Sequence, residues 1–186
     1  MHGLIVPPGQ GRKIVTKAQE MTFKVTGADG AFASVFEVVV PPGFDSGAHF
    51  HSHSQEFFYL LEGELQLLAF EPKEPSGDSW HDWEGPDGRR ILRAGPGSAM
   101  FVPEHTPHAF ANLGDQPARM LFQCAPPPDH ERYFEELAEI FNAGPSVDPD
   151  AVQRLRDRYD VTQLTPLQFD PARAQPLTRS TPWSGA

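Results

Sequence analysis

The stretch Gly43-Phe44-Asp45-Ser46-Gly47-Ala48-His49-Phe50-His51-Ser52-His53-Ser54-Gln55-Glu56, closed by Gly63, places three metal-ligand side chains within eight residues. Side chains two apart on a strand point to one face, so His49 and His51 can reach one ion through imidazole nitrogens. Glu56 cannot join them on the same straight strand, because five residues from His51 is an odd offset. The chain must turn in between, and Ser52-His53-Ser54-Gln55 is polar enough to do so. Glu56 then returns on the next strand, facing the two histidines.

A fourth ligand lies downstream. The block Gly97-x5-Pro103-x-His105-x2-His108-x3-Asn112 supplies a histidine on another predicted strand, which completes a set of three imidazoles and one carboxylate. The shorter pair His51 and His53 competes poorly, since only His49 with His51 preserves the gap to Glu56. His81 and His105 read as loop histidines, with His105 close enough to His108 to tune the pocket. The two blocks, in this order and spacing, resemble the motifs of the cupin family over roughly residues 35–123. That resemblance carries the ligand set over as His49, His51, Glu56 and His108. It implies an all-β cupin barrel, the double-stranded β-helix or jelly roll. The second motif departs from the family pattern at its turn glycine, whose place is taken by His105.

Composition bounds the rest. A chain of 186 residues suits one barrel with extensions and is long enough to bury a sizeable core. Its net charge of −10, with no clustered Lys or Arg, argues against nucleic acid and against anionic membranes. The single cysteine, Cys124, cannot form an intrachain disulfide. With neither a leader-like N-terminus nor a long apolar run, the expectation is a cytoplasmic protein.

Expected strands are 22–25, 32–40, 57–70, 90–93, 99–102, 108–111 and 119–124, short runs punctuated by Gly, Pro, Asn and Asp. Both faces of 32–40 carry large apolar residues, which with the loop tryptophans points to a homodimer. The segment 71–88 is too rich in breakers for a core strand, and its Trp80 and Trp83 either fold onto the barrel surface or a partner subunit, or form a flap over the pocket. Past Pro126-Pro127-Pro128 the period becomes helical. Asp129 is an N-cap candidate for a helix with Tyr133, Phe134, Leu137, Ile140 and Phe141 on one stripe, and Asp148-Pro149 opens a second helix. These aromatics are expected to pack on the barrel rather than to line a cofactor site. With nine acidic and four basic residues, 129–160 is no DNA reader. The expected organisation is a barrel with N-terminal extension over 1–128, a helical segment over 129–164 and an extended tail over 165–186.

The donor set specifies chemistry more than metal. Three neutral imidazoles and a carboxylate bind one divalent transition ion, whether Fe, Mn, Co, Ni, Cu or Zn, and leave one or two positions open. A purely structural ion is usually closed by four protein ligands, often Cys, so this set reads as a working site. On strand faces shared with the ligands lie Phe58, Leu60 and Phe110, which with His105 are the pocket candidates. Such walls suit an apolar or aromatic small molecule, whereas a sugar or small dicarboxylate would call for Arg, Lys and amides. The single barrel, the first motif and C-terminal helices ending at Arg158-Tyr159-Asp160-Val161 resemble quercetin 2,3-dioxygenase-like cupins. That resemblance implies dioxygen and an enolic or phenolic substrate, with Glu56 as proton acceptor. An isomerase or cyclase, or a non-catalytic binding module, would use the same ligands.

Overall fold

The protein, described by a computed structural model, is placed over residues 3–75, 77–126, 129–144, 146–170 and 172–173. Its strands in chain order are β1 (Arg12–Val15), β2 (Glu20–Val25), β3 (Ser34–Val40), β4 (Phe44–Asp45), β5 (His49–Phe50), β6 (Gln55–Glu62) and β7 (Leu65–Ala69). They continue as β8 (Leu92–Ala94), β9 (Ala99–Val102), β10 (His108–Ala111) and β11 (Ala118–Ala125). Helices α1 (His130–Asn142) and α2 (Pro149–Arg156) follow, and then β12 (Thr162–Gln163) and β13 (Gln168–Phe169). Among the described residues no helix is long and apolar enough to cross a membrane.

Two antiparallel sheets face each other. One runs β1-β2-β3-β11-β6-β9, and the other is built on β10, which pairs with β4, β5 and β7, with β12, β13 and β8 at its edges. The period of two decides what lies between them. In β3 the side chains of Ser34, Phe36, Val38 and Val40 are buried while Val35, Glu37 and Val39 are half-buried, and β11 alternates in the same way. Inward-facing Phe36, Phe58, Met120 and Phe122 build the core, with Phe58 and Phe122 stacked at 4.9 Å between centroids. On the other side of β3 and β11, Glu37 is held by Lys24 at 3.1 Å and Arg119 at 2.8 Å.

The expected strand over 57–70 is two strands in different sheets. Gly63 breaks it with φ 76°, and a Cβ there would stand 2.7 Å from the Ala118 Cα, so only glycine lets the chain cross between layers at this point. The expected strand at 32–40 begins at Ser34 and leaves Phe32 exposed. Near the ligands, Gly47 (φ 65°) separates β4 from β5, where a Cβ would lie 2.3 Å from the Thr165 carbonyl oxygen.

Trp80 and Trp83 are no flap over the pocket. Both are buried, with Phe70, Leu68, Ala109 and Ala111, on the face of the second sheet turned away from the ligands. The C-terminal segment also departs from an extended tail. Thr165 Oγ1 accepts from the Ala48 amide at 2.8 Å, β12 pairs with β5 and β13 with β4, so residues 162–169 complete the sheet beside the ligand strand. Residue 171 and residues 174–186 of that tail lie outside the described residues. Of the two expected N-caps, Asp148 accepts from the Asp150 amide at 3.0 Å, whereas Asp129 has φ 55° and its side chain makes no cap bond.

Candidate metal centre

The centre bridges the sheets. His49 and His108 sit opposite each other where β5 pairs with β10, and His51 follows β5 directly. Glu56 comes from the other sheet, at the start of β6, after a turn at 52–54. All four are buried, and one ligand atom of each lies within 4.8 Å of the others. The ring centroids of His49 and His108 are 4.2 Å apart, and that of His51 is 5.3 Å from both.

The backbone orients every imidazole the same way. Nδ1 donates to a carbonyl in each: His49 to Gly47 at 2.9 Å, His51 to Asp160 at 2.5 Å and His108 to Thr106 at 3.1 Å. That assigns the proton to Nδ1 and leaves the Nε2 lone pair for the site, the arrangement that metal-binding histidines use. His51 Nε2 and His108 Nε2 approach the Glu56 carboxylate at 3.0 and 2.9 Å, yet neither has an aligned hydrogen-bond partner. Buried nitrogens converge on one carboxylate without satisfying one another, so the residues present fit a divalent ion.

Electrostatics agrees with that fit. Burial holds His49 well below the usual imidazole range, helped by the neighbouring His108, Arg156 and His51, so His49 stays neutral and able to ligate. Burial would push Glu56 up, but the charge of His51 and the contact with His108 outweigh it and hold the carboxylate well below its ordinary value. His51 is drawn down by burial and up more strongly by Glu56, and ends above its ordinary value. In the metal-free protein Glu56 favours the protonated form of His51, and a metal would have to compete with that proton.

One buried imidazole, His130 in the first turn of α1, escapes motif reasoning. Its Nε2 is 3.7 Å from Glu56 Oε1, its Nδ1 has no partner, and burial lowers its pKa to about 4. With Glu56 and buried Cys124 it makes a second group of ligand types, although burial pushes the Cys124 thiol far up. A signal existed: His130 lies three, four and seven residues before Tyr133, Phe134 and Leu137, on their apolar stripe. His53 is exposed and pairs with Asp160, while His81 bridges Asp45 and Gln66 on the outer face, so neither joins the centre.

A cavity opens beside the ligands. His49, His51, Glu56, Phe58 and Phe110 line it, joined by Phe122 from β11 and by Tyr133, Phe134 and Leu137 from α1. The helix aromatics thus form cavity wall as well as packing, which corrects the expectation for them. Two expected pocket residues fall elsewhere. Leu60 is buried in the core and does not line the cavity, while His105 is exposed at φ 60°, keeping the glycine turn and donating its amide to the His51 carbonyl at 2.7 Å. Arg156 and Gln19, absent from the sequence reading of this wall, line it as well.

Comparison with known proteins follows the same outline. The cupin domain family matches residues 36–124. Protein SchB of Streptomyces halstedii is 31% identical over 121 residues, which cover 65% of this chain and 72% of that protein. Polyketide synthase CurC of Streptomyces cyaneus is 29% identical over 106 residues, 57% of this chain and 56% of that one. The structure of the polyketide cyclase RemF from Streptomyces resistomycificus superposes with a TM-score of 0.50 at 25% identity, over 72% of this chain and 94% of that chain. With two facing antiparallel sheets and both motifs in place, the chain belongs to the cupin family.

Proposed function

We propose that the protein is a metal-dependent enzyme acting on an enolisable aromatic small molecule of the polyketide type, with ring closure or isomerisation as its reaction. The observation that carries this reading is the buried set His49, His51, Glu56 and His108, with each Nδ1 tied to a carbonyl, beside a cavity walled by phenylalanines. The substrate class is supported by the likeness to CurC and to the cyclase RemF. A divalent ion held by these four residues supplies Lewis-acid polarisation of a carbonyl or phenolic oxygen.

The chain's own residues do the rest. Glu56, ionised at neutral pH, takes a proton from the carbon beside a carbonyl of the substrate. The enolate carbon attacks a second carbonyl of the same molecule, a carbon–carbon bond forms, and the proton returns to the new alkoxide. No oxidant is consumed. Phe58, Phe110, Phe122 and Phe134 exclude water and hold the substrate's aromatic part in place.

A dioxygenase reading begins with the same proton transfer and diverges when dioxygen meets the activated carbon. It is favoured by the apolar walls and by the resemblance of both motifs to quercetin 2,3-dioxygenase-like cupins. Metal-reconstituted protein incubated with an aromatic poly-β-ketone and with a flavonol separates these outcomes. Oxygen uptake with both oxygen atoms recovered in the products selects the oxygenase. A ring-closed product of unchanged mass, or that product less one water after dehydration of the new alcohol, with no oxygen uptake selects the cyclase. Binding of such molecules without turnover at full metal occupancy would leave a small-molecule-binding module. The proposal includes a homodimer, formed through the outer face of the six-stranded sheet, where exposed Tyr59, Leu61 and Phe101 lie close together. A single-chain mass by light scattering at micromolar concentration contradicts it.

A further inference from the structure

We propose that Arg156 is an anion-recognition residue of the cavity, so that the aromatic ligand of the proposed function carries a carboxylate or another fixed negative charge. This rests on that reading for the aromatic body and adds the charged group.

Arg156 ends α2, is only 3% exposed and lines the cavity together with His49 and Glu56. Its Nε donates to the Tyr133 hydroxyl at 3.3 Å, one terminal nitrogen donates to the Ser46 carbonyl at 3.1 Å, and the other donates to Gln163 Oε1. Every acceptor is neutral. Among the described residues no carboxylate forms an ion pair with it. A guanidinium has five N–H groups, so two remain after these bonds. A buried charge without a counter-ion is costly, and the C-terminal end of α2 compensates only part of it.

The cavity offers no other anion. Glu56 is the single carboxylate among its lining residues and is engaged by His51 and His108. With a divalent ion, three imidazoles and one carboxylate the centre would carry +1, and Arg156 adds another positive charge. Apart from neutral Gln19, Ser46 and His130, the remaining walls are aromatic and aliphatic. An aromatic acid meets all three requirements: a π face for the phenylalanines, an oxygen for the ion, and a planar two-oxygen group for a guanidinium fork. Three neutral bonds would suffice for a strut tying α2 to the β4–β5 turn and to β12. A strut, however, has no need of a charge.

The probes are 2-naphthoate and 2-naphthol at pH 7, where the first is an anion and the second is neutral. Both are titrated calorimetrically into wild-type protein, metal-free and zinc-loaded. Wild type is expected to bind one naphthoate with at least about tenfold preference over naphthol in both forms, the size of one charged hydrogen bond. In Arg156→Gln the ratio falls to near one with zinc content unchanged, and Arg156→Lys keeps part of it. Equal affinities in wild type would overturn the inference, as would an unchanged ratio in folded Arg156→Gln. A preference that vanishes with the zinc also overturns it, because the metal would then hold the carboxylate. If Arg156→Gln does not fold, the two wild-type forms decide alone. Absence of turnover with polyketide-type substrates counts against the proposed function and leaves this preference standing, since the measurement needs neither metal nor catalysis.

Discussion

The two faces of β10 carry two buried clusters built on opposite terms. His108 and Phe110 point into the barrel, toward a centre where buried nitrogens lack aligned partners. Ala109 and Ala111 point outward, under Trp80 and Trp83. On that outer side the indole of Trp80 donates to Asp45 Oδ1 at 2.8 Å, and His81 bridges Asp45 Oδ2 and Gln66 Oε1, each at 2.9 Å. One face contributes stability through close packing and paired polar groups. The other forgoes that pairing and keeps atoms in reserve for a ligand. Unsatisfied buried polar atoms, more than burial itself, mark the functional side of this strand.

The contrast is tested most severely at Glu56. Glu56→Gln keeps the shape and an oxygen donor while removing charge and basicity, so turnover is expected to fall by about 10²- to 10⁴-fold with metal partly retained. Once a substrate is in hand, equal rates at full metal occupancy would leave Glu56 as a ligand alone. On the outer face, Trp80→Ala is expected to destabilise by about 3–5 kcal/mol, as removal of a fully buried indole does, with metal content per folded chain unchanged. His49→Ala and His108→Ala should do the reverse, losing the metal with a smaller change in the unfolding midpoint of the metal-free protein. Denaturant melts paired with elemental analysis read both halves, and a Trp80→Ala protein that unfolds normally but loses its metal would erase the distinction.

The titration of the site sharpens it further. His49 and His130 are held neutral in the folded protein, whereas in the unfolded chain they protonate near 6.5. The unfolded state therefore takes up protons that the folded state does not, and metal-free protein loses stability as the pH falls below 6.5. For His130 the loss runs until its folded value of about 4, on the order of 3 kcal/mol. His51 works in the opposite window, since its contribution is complete below 6.5 and fades as the pH rises through its raised value. Glu56 contributes above 4.5 and loses that contribution as the pH falls through its depressed value. Urea midpoints of metal-free wild type and His130→Phe between pH 4 and 7 check this, with the variant expected to show the flatter curve. The smallest effect belongs to His105, an exposed residue at φ 60° whose backbone bond to His51 any residue can make. His105→Gly is expected to stabilise by about 1 kcal/mol or less, measured by thermal melts, with no change in ligand binding.

Much of the fold and half of the site were legible in one dimension because they depend on local periods. Alternation in 118–125 announces a strand with one buried face, and a period of two puts His108 with Phe110, whereas 34–40, apolar on both faces in sequence, shows which face is buried only once folded. Changes of sheet were not legible. Residues 57–61 are apolar without a break, so the shift of the buried side chains from even positions in β6 to odd positions in β7 is not announced locally. The Glu62-Gly63-Glu64 break does not by itself show that β6 and β7 belong to different sheets. Strands of two residues such as β12 and β13 are too short to have a period. Their pairing comes from partners more than a hundred residues away.

By itself the sequence determined the cupin barrel, the group His49, His51, Glu56 and His108, and the aromatic character of Phe58 and Phe110. The pairings of His49 with His51 and of His108 with Phe110 follow from spacing along a strand, where a period of two makes neighbours in sequence into neighbours on a face. The barrel and the joining of Glu56 and His108 to the group come from the resemblance of both motifs to the cupin family. Only the tertiary structure decided that His130 and Arg156 enter the same cavity, that His105 leaves it, and that the tryptophans cover the opposite face. Helix position against the barrel is set by which apolar stripe packs where. That is a property of the assembled surfaces, and a lone histidine or arginine on such a stripe acquires its role only when the stripe is docked.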